Sequence, residues 1–312
     1  MVELWIPVTV AAAFFQNLRS ALQKHLKGRL STSGATFVRF GFGFPLALLY
    51  VAGLALLAGL PLPRPGPDFA LFAALGGVAQ ILGTVCLISL FSARNFAVGT
   101  TYSKTETLQT ALFGIVILGD ALTLGALLGI LVSLAGVLAI SVAQGGGTQS
   151  GEAQGAGTWR TLLTAWTSRS ALVGLASGGF YGIAAVSYRA ASLSLGGEGF
   201  LMQAAFTLAC VTVLQTALML AYMRLREPGQ ITATLAAWKT SVWVGASGIA
   251  ASACWFTAMT IQNAAYVRAL GQVELVFTFV AGHFFFRERS TRLEVTGILL
   301  VIAGILCLLV LH

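Results

Sequence analysis

Apolar runs that are long enough to cross a membrane recur along the whole chain. A membrane-spanning helix needs about 20 consecutive and mostly apolar residues. Ten such runs lie at about 4–23, 34–58, 69–92, 95–118, 121–142, 170–192, 199–223, 238–260, 263–286 and 293–311. Only 9% of the residues are charged, whereas an ordinary soluble domain has about 25%. The sequence therefore predicts an all-α membrane protein with ten transmembrane helices.

The second half of the chain repeats the first. A Gly/Ser/Gln-rich stretch, which is typical of a flexible linker, divides a first repeat (1–142) and a linker (143–169) from a second repeat (170–312). A shift of 168 residues aligns the later part of each half without gaps. The aligned pairs include Asn95/Asn263, Glu106/Glu274, Thr110/Thr278, Gly129/Gly297 and Gly136/Gly304. An odd number of spans in each repeat makes the second repeat inverted, as in many secondary transporters whose sites lie near the bilayer midplane.

The polar run "TTYSKTETLQT" (100–110) has two interpretations. As part of a span over 95–118, it would place Glu106 near the middle of the bilayer. As a loop followed by a helix over 111–143, it would force that helix across Gly119–Asp120, although the equivalent "RERSTR" (287–292) is a polar turn. The equivalent of the polar run, within 268–286, is an apolar helix. We therefore predict that the polar run belongs to a membrane helix.

Two segments carry a family resemblance. The stretches "LGDALTLGALLGILVSLAGVLAI" (118–140) and "FRERSTRLEVTGILLVIAGILCL" (286–308) each combine an acidic turn with a helix that has two glycines seven residues apart. They resemble the repeated signature of the drug/metabolite transporter superfamily, in its EamA-like branch. The turn departs from the usual Gly-Glu, because Asp120 replaces Glu in the first copy and Arg287 replaces Gly in the second. The resemblance implies a ten-helix carrier of small metabolites, often an exporter.

Glu106 and Glu274 are the first candidate site residues. A carboxylate at the centre of a membrane helix costs roughly 2.5–3.5 kcal/mol on insertion scales, and such residues usually mark transport or proton pathways. The pair is therefore predicted to exchange a proton or to bind a substrate ammonium group. The alternative is a structural role, in which each acid forms an ion pair with a nearby Arg or Lys.

Polar neighbours extend this candidate site. Tyr102 and Thr110 lie one helical turn on either side of Glu106 and are predicted to contact the substrate. Lys104 lies about 200° around the helix from Glu106, so it either has another partner or points at a different wall of the cavity. Gln272 occupies the equivalent position in the second repeat, which makes the two halves chemically unequal.

Basic residues inside the spans predict the charge of the substrate. Arg39, Lys104 and Arg268 are candidates for binding an anionic group of the substrate, and the fork of an Arg side chain matches a carboxylate. Arg19 and Arg189 are interpreted as snorkelling to the headgroups. A surplus of buried bases over the two acids would favour an anionic substrate. Asn17 is a weaker candidate, Asn95 and Asn263 are interpreted as helix N-caps, and the spacing of Gly174, Gly178 and Gly182 indicates helix packing.

Other classes of function receive little support from the sequence. The chain lacks a P-loop, a nucleophile elbow and zinc-ligand spacing, so we expect no enzyme activity, no cofactor and no metal. Its net charge of +8 lies mostly in short connections, which the positive-inside rule explains without nucleic acid. That rule places the odd-numbered connections in the cytoplasm and the termini outside, whereas the resemblance implies cytoplasmic termini.

We therefore predict a multi-pass protein of the inner cell membrane that contacts lipid and a small-molecule substrate, as a monomer or a homodimer. It would export a small polar metabolite, such as an amino acid or an organic anion, by alternating access and with proton coupling. One alternative is efflux of lipophilic cations, with the glutamates as counter-ions. Another is a non-transporting membrane scaffold, in which ion pairs use every buried charge.

Overall fold

The structure, a computed structural model, describes residues 3–26, 30–90, 101–145, 168–197, 199–284 and 291–311. These residues form 13 α-helices, one π-helical segment, Gly114–Leu118, and a helical stretch at 101–103. The helices are α1 (Trp5–Leu26), α2 (Thr32–Gly41), α3 (Phe44–Leu56), α4 (Pro67–Leu90), α5 (Glu106–Phe113), α6 (Leu124–Gly145), α7 (Arg169–Ser194), α8 (Phe200–Arg226), α9 (Gln230–Ala236), α10 (Trp238–Ile261), α11 (Ala264–Leu270), α12 (Val273–Phe284) and α13 (Arg292–Leu311). No strand occurs among the described residues, as predicted.

Seven helical segments of the described chain are long and apolar enough to cross a membrane. They are Thr32–Leu56, Pro67–Leu90, Leu124–Ala143, Arg169–Ser194, Phe200–Arg226, Trp238–Ile261 and Arg292–Leu311. Large apolar side chains such as Leu57, Val116 and Val310 are exposed on the surface. Water would make such a surface an aggregation site, whereas lipid solvates it. The chain is therefore a multi-pass membrane protein.

The three remaining predicted spans differ from these seven. The first is α1, a 22-residue helix that carries Gln16, Asn17 and Arg19. The spans predicted over 95–118 and 263–286 are both interrupted helices, and residues 95–100 lie outside the described residues. The helix predicted over 34–58 is also divided, into α2 and α3. Pro45, in the first turn of α3, causes this division because it has no backbone N–H to donate.

The chain forms two compact units. The first unit consists of Met1–Ile81 with Ile183–Val267, and the second unit consists of Leu82–Gly182 with Arg268–His312. Each unit therefore combines segments from both predicted repeats. The predicted linker falls mostly on residues 146–167, which lie outside the described residues.

The first unit is organised around α10. Helix α1 packs along α10, and α8 packs against α2, α3 and α10. A cluster of buried apolar residues joins α1, α2 and α10 and includes Leu26, Val38 and Val244. At one end, Glu227 accepts hydrogen bonds from the hydroxyls of Ser31 and Ser33, both at 2.7 Å. Because Ser31 is the N-cap of α2, this carboxylate fixes the start of that helix.

In the second unit, α6 and α13 pack against each other through glycines. A Cβ placed on Gly129 would lie 2.8 Å from the carbonyl oxygen of Gly304, and one on Gly136 would lie 2.5 Å from that of Gly297. Lower-numbered residues of α6 thus meet higher-numbered residues of α13, so the two helices run antiparallel. Glycine is needed at these positions because any side chain would push the two backbones apart.

Candidate functional site

Two helices of the chain are interrupted at equivalent places. Residues 101–103 are helical, a turn follows at 104–105, and α5 then begins at Glu106. Likewise, α11 ends at Leu270 and α12 begins at Val273 after a turn at 271–272. Apart from the turn at 104–105, the described part of the polar run is therefore helical, which contradicts the interpretation of the whole run as a loop. The sequence did not predict the interruptions.

Tight hydrogen bonds between residues three apart form both turns. The amides of Lys104 and Thr105 donate to the carbonyls of Thr101 and Tyr102, both at 3.2 Å, and the amide of Gln272 donates to Ala269 at 3.1 Å. Bonds of this spacing replace the α-helical pattern with a 3₁₀ step, which often marks a hinge when it occurs within a helix.

Both candidate glutamates lie in the first turn after an interruption. Glu106 is the first residue of α5, and Glu274 is the second residue of α12. The N-terminus of a helix carries a partial positive charge, which stabilises a carboxylate placed there by roughly 0.3–1 kcal/mol. At these two positions, the free-energy cost of placing a carboxylate inside a membrane protein is therefore lower than in the middle of a continuous helix.

Each glutamate forms an ion pair with a basic residue from the other interrupted helix. Arg268 Nη2 pairs with Glu106 Oε1, and both side chains are 18% exposed. Lys104 Nζ lies 3.4 Å from Glu274 Oε1, and these side chains are 33% and 19% exposed. Lys104 therefore has a partner other than Glu106, which is the first of the two possibilities that the helical geometry left open. This cluster of two acids and two bases is neutral, so the predicted surplus of buried bases does not arise within it.

Gln272 completes the arrangement. Its amide donates to the hydroxyl of Thr107 at 2.9 Å, beside Glu106. Gln272 is equivalent to Lys104, and Glu106 is equivalent to Glu274, under the 168-residue shift. Lys104 therefore contacts the start of α12 at Glu274 through a cation. Its equivalent, Gln272, contacts the start of α5 at Thr107 through a neutral amide.

The glycines of α7 position the first interruption. A Cβ on Gly178 would lie 2.9 Å from the carbonyl oxygen of Ser103 and 3.2 Å from the amide nitrogen of Glu106. A Cβ on Gly182 would lie 3.1 Å from the amide nitrogen of Thr110. The predicted packing role is thus confirmed for these two glycines, because they let α7 approach the backbone on both sides of the turn.

Other polar side chains near Glu106 support the same turn. Gln109 donates to the hydroxyl of Thr105 at 2.7 Å, and that hydroxyl donates to the carbonyl of Tyr102 at 2.7 Å. Thr110 is fully buried and donates to the carbonyl of Glu106 at 2.8 Å. The hydroxyl of Thr110 thus stabilises α5, while the half-buried Tyr102 supplies its carbonyl to the turn.

Arg39, Asn17 and Arg189 belong to the first unit. Arg39 Nη2 donates to the hydroxyl of Ser252 at 3.3 Å, and Asn17 is half-buried on α1. Arg189 donates to the carbonyls of Met259 at 2.8 Å and Gln262 at 2.7 Å. The snorkelling interpretation of Arg189 is therefore wrong, because its guanidinium binds the last carbonyls of α10, where a cation also complements the helix dipole.

The predicted N-cap at Asn263 is confirmed. Its side-chain oxygen accepts a hydrogen bond of 2.8 Å from the amide of Ala265, in the first turn of α11. The equivalent prediction for Asn95 lies outside the described residues. No group of three metal-ligating side chains occurs in the part of the chain that the structure describes.

Sequence reasoning missed a network of amides in the first unit. Gln215, on α8, donates to the side-chain oxygen of Gln80 on α4 at 2.8 Å and to the carbonyl of Gly77 at 3.2 Å. The hydroxyl of Tyr188 lies 3.0 Å from the same Gln80 oxygen. Gln80 and Gln215 are isolated amides within long apolar runs. Because a buried polar group in a membrane needs a partner, this isolation was a usable signal.

These features define a multi-pass membrane protein with paired charges at two helix interruptions. The model of the EamA-like transporter family matches residues 3–142 and 168–310. The chain therefore belongs to the EamA-like transporter family, which confirms the resemblance and the two copies of the repeat.

The comparison with solved structures agrees at the level of the fold. One crystal structure is similar with a TM-score of 0.67 over 99% of this chain and 98% of that chain, at 16% sequence identity. An identity this low supports a shared fold and no statement about substrate. A search of curated proteins gave no match.

Proposed function

We propose that this protein is a secondary active transporter of the inner cell membrane that exports a small polar metabolite, such as an amino acid or an organic anion, in exchange for protons. The observation that carries the proposal is the pair of carboxylates at the two helix interruptions. In many transporters, interrupted membrane helices bind the substrate and the coupling ion near the bilayer midplane. Membership of a transporter family supports the same conclusion.

The proposed architecture is two inverted five-helix repeats, ten membrane segments in all. The contacts of the second unit support this arrangement. Under the 168-residue shift, the contact of Gly129 with Gly304 corresponds to the contact of Gly297 with Gly136, and both contacts occur. Equivalent helices that pack antiparallel in this way are expected when one repeat is inverted relative to the other.

The proposed mechanism couples protons to substrate through the ion pairs. An amino acid would enter between the two partners of the ion pair, with its ammonium group on the carboxylate of Glu106 and its carboxylate on the guanidinium of Arg268. Protonation of Glu106 would remove the charge that holds the ammonium group and so expel the substrate. A proton and a substrate would therefore occupy Glu106 in turn, as exchange requires. Lys104 and Glu274 form a second pair of the same kind, and the 3₁₀ steps provide places at which the half-helices bend.

Two observations bear on the alternative functions. A lipophilic cation would have to displace Lys104 or Arg268 from its glutamate before it could bind there, which disfavours cation efflux. The scaffold alternative predicts ion pairs at the buried charges, and both glutamates are paired. The pairs alone therefore do not separate a transporter from a scaffold. Their partial exposure supports transport, because protons and substrate must reach the carboxylates.

Flux measurements in liposomes test the proposal. We expect an imposed pH gradient to drive uptake of labelled amino acids or organic anions by the wild-type protein. Glu106→Gln and Glu274→Gln should lose this dependence on the gradient, since an amide does not exchange protons near neutral pH. Asp68→Asn is the matched control, because Asp68 is an exposed acid at the start of α4. Flux that ignores both the gradient and the two glutamate substitutions would refute proton coupling, and absence of any flux would favour the scaffold.

A further inference from the structure

A small polar cavity lies within the first unit. Its lining includes Arg39, Gln80, Gln215 and Ser252 on the polar side, and Phe40 and Phe256 on the apolar side. The cavity volume of about 10 Å³ corresponds to roughly one water molecule. With Thr212, which also lines it, the cavity therefore combines one guanidinium, two hydroxyls and two amides with aromatic walls, inside a unit built of membrane helices.

The guanidinium of Arg39 is held in a defined orientation. It donates to Ser252 at 3.3 Å, and its central carbon lies 5.2 Å from the centre of the Phe40 ring. Gly248 gives the side chain room, since a Cβ there would lie 3.4 Å from Arg39 Cγ and 3.5 Å from Arg19 Cδ. Two arginine side chains thus pass the same glycine of α10, which makes this part of the unit strongly positive.

The polar side of the cavity is rigid. Gln215 is 1% exposed, and its amide nitrogen is bound by Gln80 and by the backbone of Gly77. The Tyr188 hydroxyl also reaches Gln80, and the Tyr188 ring stacks on Phe256 with centroids 4.3 Å apart. A site with its polar groups fixed in advance binds without first ordering them, which favours affinity.

The charges of the first unit favour an anion. The described residues of this unit include eight Lys or Arg residues and three acids, Glu3, Asp68 and Glu227. We propose that this cavity binds the carboxylate of a ligand that has an apolar side chain, with Arg39 and Ser252 as donors to the carboxylate. This inference rests on the proposed transport of a small metabolite: besides Arg268, it gives the carboxylate of the substrate a second binding site, and it specifies the class of the substrate.

The apolar residues of the lining would contact the apolar side chain of the ligand. Leu208, Val211 and Ile249 line the cavity together with the two phenylalanines. The carboxylate would displace the water that the cavity can hold. Because the remaining volume is small, the apolar part of the ligand must move side chains such as Ile249. A bulky or highly polar side chain next to the carboxylate is therefore expected to bind worse than a short aliphatic one.

Calorimetric titration of the detergent-solubilised protein with two matched probes tests the inference. The probes are 4-methylpentanoate and its neutral amide, 4-methylpentanamide, which have the same apolar chain. A hydrogen-bonded charge is worth about 1.5–3 kcal/mol, which corresponds to roughly 10- to 100-fold in Kd. We therefore expect the wild-type protein to bind the acid at least about tenfold more tightly than the amide. Equal binding of the two, or no binding of either, would overturn the proposal without any variant.

Variants then assign the binding to Arg39. Arg39→Gln should weaken binding of the acid by roughly 10- to 100-fold and leave binding of the amide unchanged. Arg39→Lys should retain part of the affinity, because it keeps the charge but not the planar fork. Arg64→Gln is the control, since Arg64 lies exposed in the loop before α4. Wild-type affinity for the acid in either folded Arg39 variant would overturn the assignment.

The two proposals fail in different ways. If Arg39→Gln keeps wild-type, Glu106-dependent flux with the same substrate preference, the proposed function stands and the carboxylate site is wrong. If the acid binds through Arg39 but no flux is found, the site stands and the proposed function is wrong.

Discussion

Removal of Arg268 should destabilise the protein far more when Glu106 remains than when Glu106 is removed as well. In the wild-type protein, the two side chains pair and each is about four-fifths buried. Arg268→Gln leaves the Glu106 carboxylate in a largely desolvated site without that cation. The double variant, Arg268→Gln with Glu106→Gln, removes both charges and leaves two amides that are able to bond each other.

The expected magnitudes follow from the exposure of the pairs. Breaking a fully buried pair costs about 3–5 kcal/mol, and an exposed pair is worth about 0–1 kcal/mol. At 18% exposure of both partners, we expect Arg268→Gln to lower the free energy of unfolding by about 2–3 kcal/mol. The double variant should lie within about 1 kcal/mol of the wild type. Lys104→Gln should cost about 1 kcal/mol, because Lys104 is 33% exposed and 3.4 Å from Glu274.

Unfolding in mixed detergent micelles, followed by circular dichroism, measures these differences, and a double-mutant cycle isolates the pair. The reasoning is refuted if the double variant is as unstable as Arg268→Gln alone. It is also refuted if Lys104→Gln costs as much as Arg268→Gln, since the ranking depends on burial.

Three further predictions concern stability and use the same unfolding assay. Gly136→Ala should cost about 1–3 kcal/mol, because its Cβ would lie 2.5 Å from the Gly297 carbonyl oxygen, whereas Gly53→Ala, with nothing within 4 Å, should be neutral or stabilising. Arg189→Gln should lower the free energy of unfolding by about 1–3 kcal/mol, because it removes the hydrogen bonds of the guanidinium to the carbonyls at the end of α10. Wild-type stability of this variant would contradict a stabilising role of Arg189. Glu227→Gln should cost about 1 kcal/mol by weakening the start of α2, and an unchanged melting curve would show that the serines find other partners.

Periodic and repeated features of the fold were accessible from the sequence. The shift that aligns Gly129 with Gly297 needs no coordinates, and it indicated the repeat that the family match confirms. The helical nature of residues 101–103 and 106–110 followed from the equivalent apolar segment. The geometry of a helix alone showed that Lys104 could not simply pair with Glu106, although it did not identify Glu274.

Features that depend on distant contacts were not accessible. Neither Lys104 nor Thr105 is a helix breaker, so nothing local signals the interruption before α5. The interruption is packed against Gly178 of α7, which is more than 70 residues away from Ser103 and Glu106 in the chain. Arg189 has the sequence position of a snorkelling residue, and only the packing of α7 beside the end of α10 reveals its carbonyl partners. The sequence likewise did not show that Lys104 and Arg268 pair with the two glutamates. It therefore could not show how many basic side chains are left to bind an anion.

The glycine contacts between α6 and α13 have a consequence for the variation that this protein tolerates. The facing surfaces meet through backbone atoms, so no rotamer change can absorb an added methyl group there. The outward surfaces of the same helices present residues such as Leu128, Leu299 and Leu306, where any apolar side chain of similar size serves equally well. In homologous sequences, the residues on the outward surfaces of both helices should therefore vary among apolar types, whereas glycine should be conserved at positions 129, 136, 297 and 304.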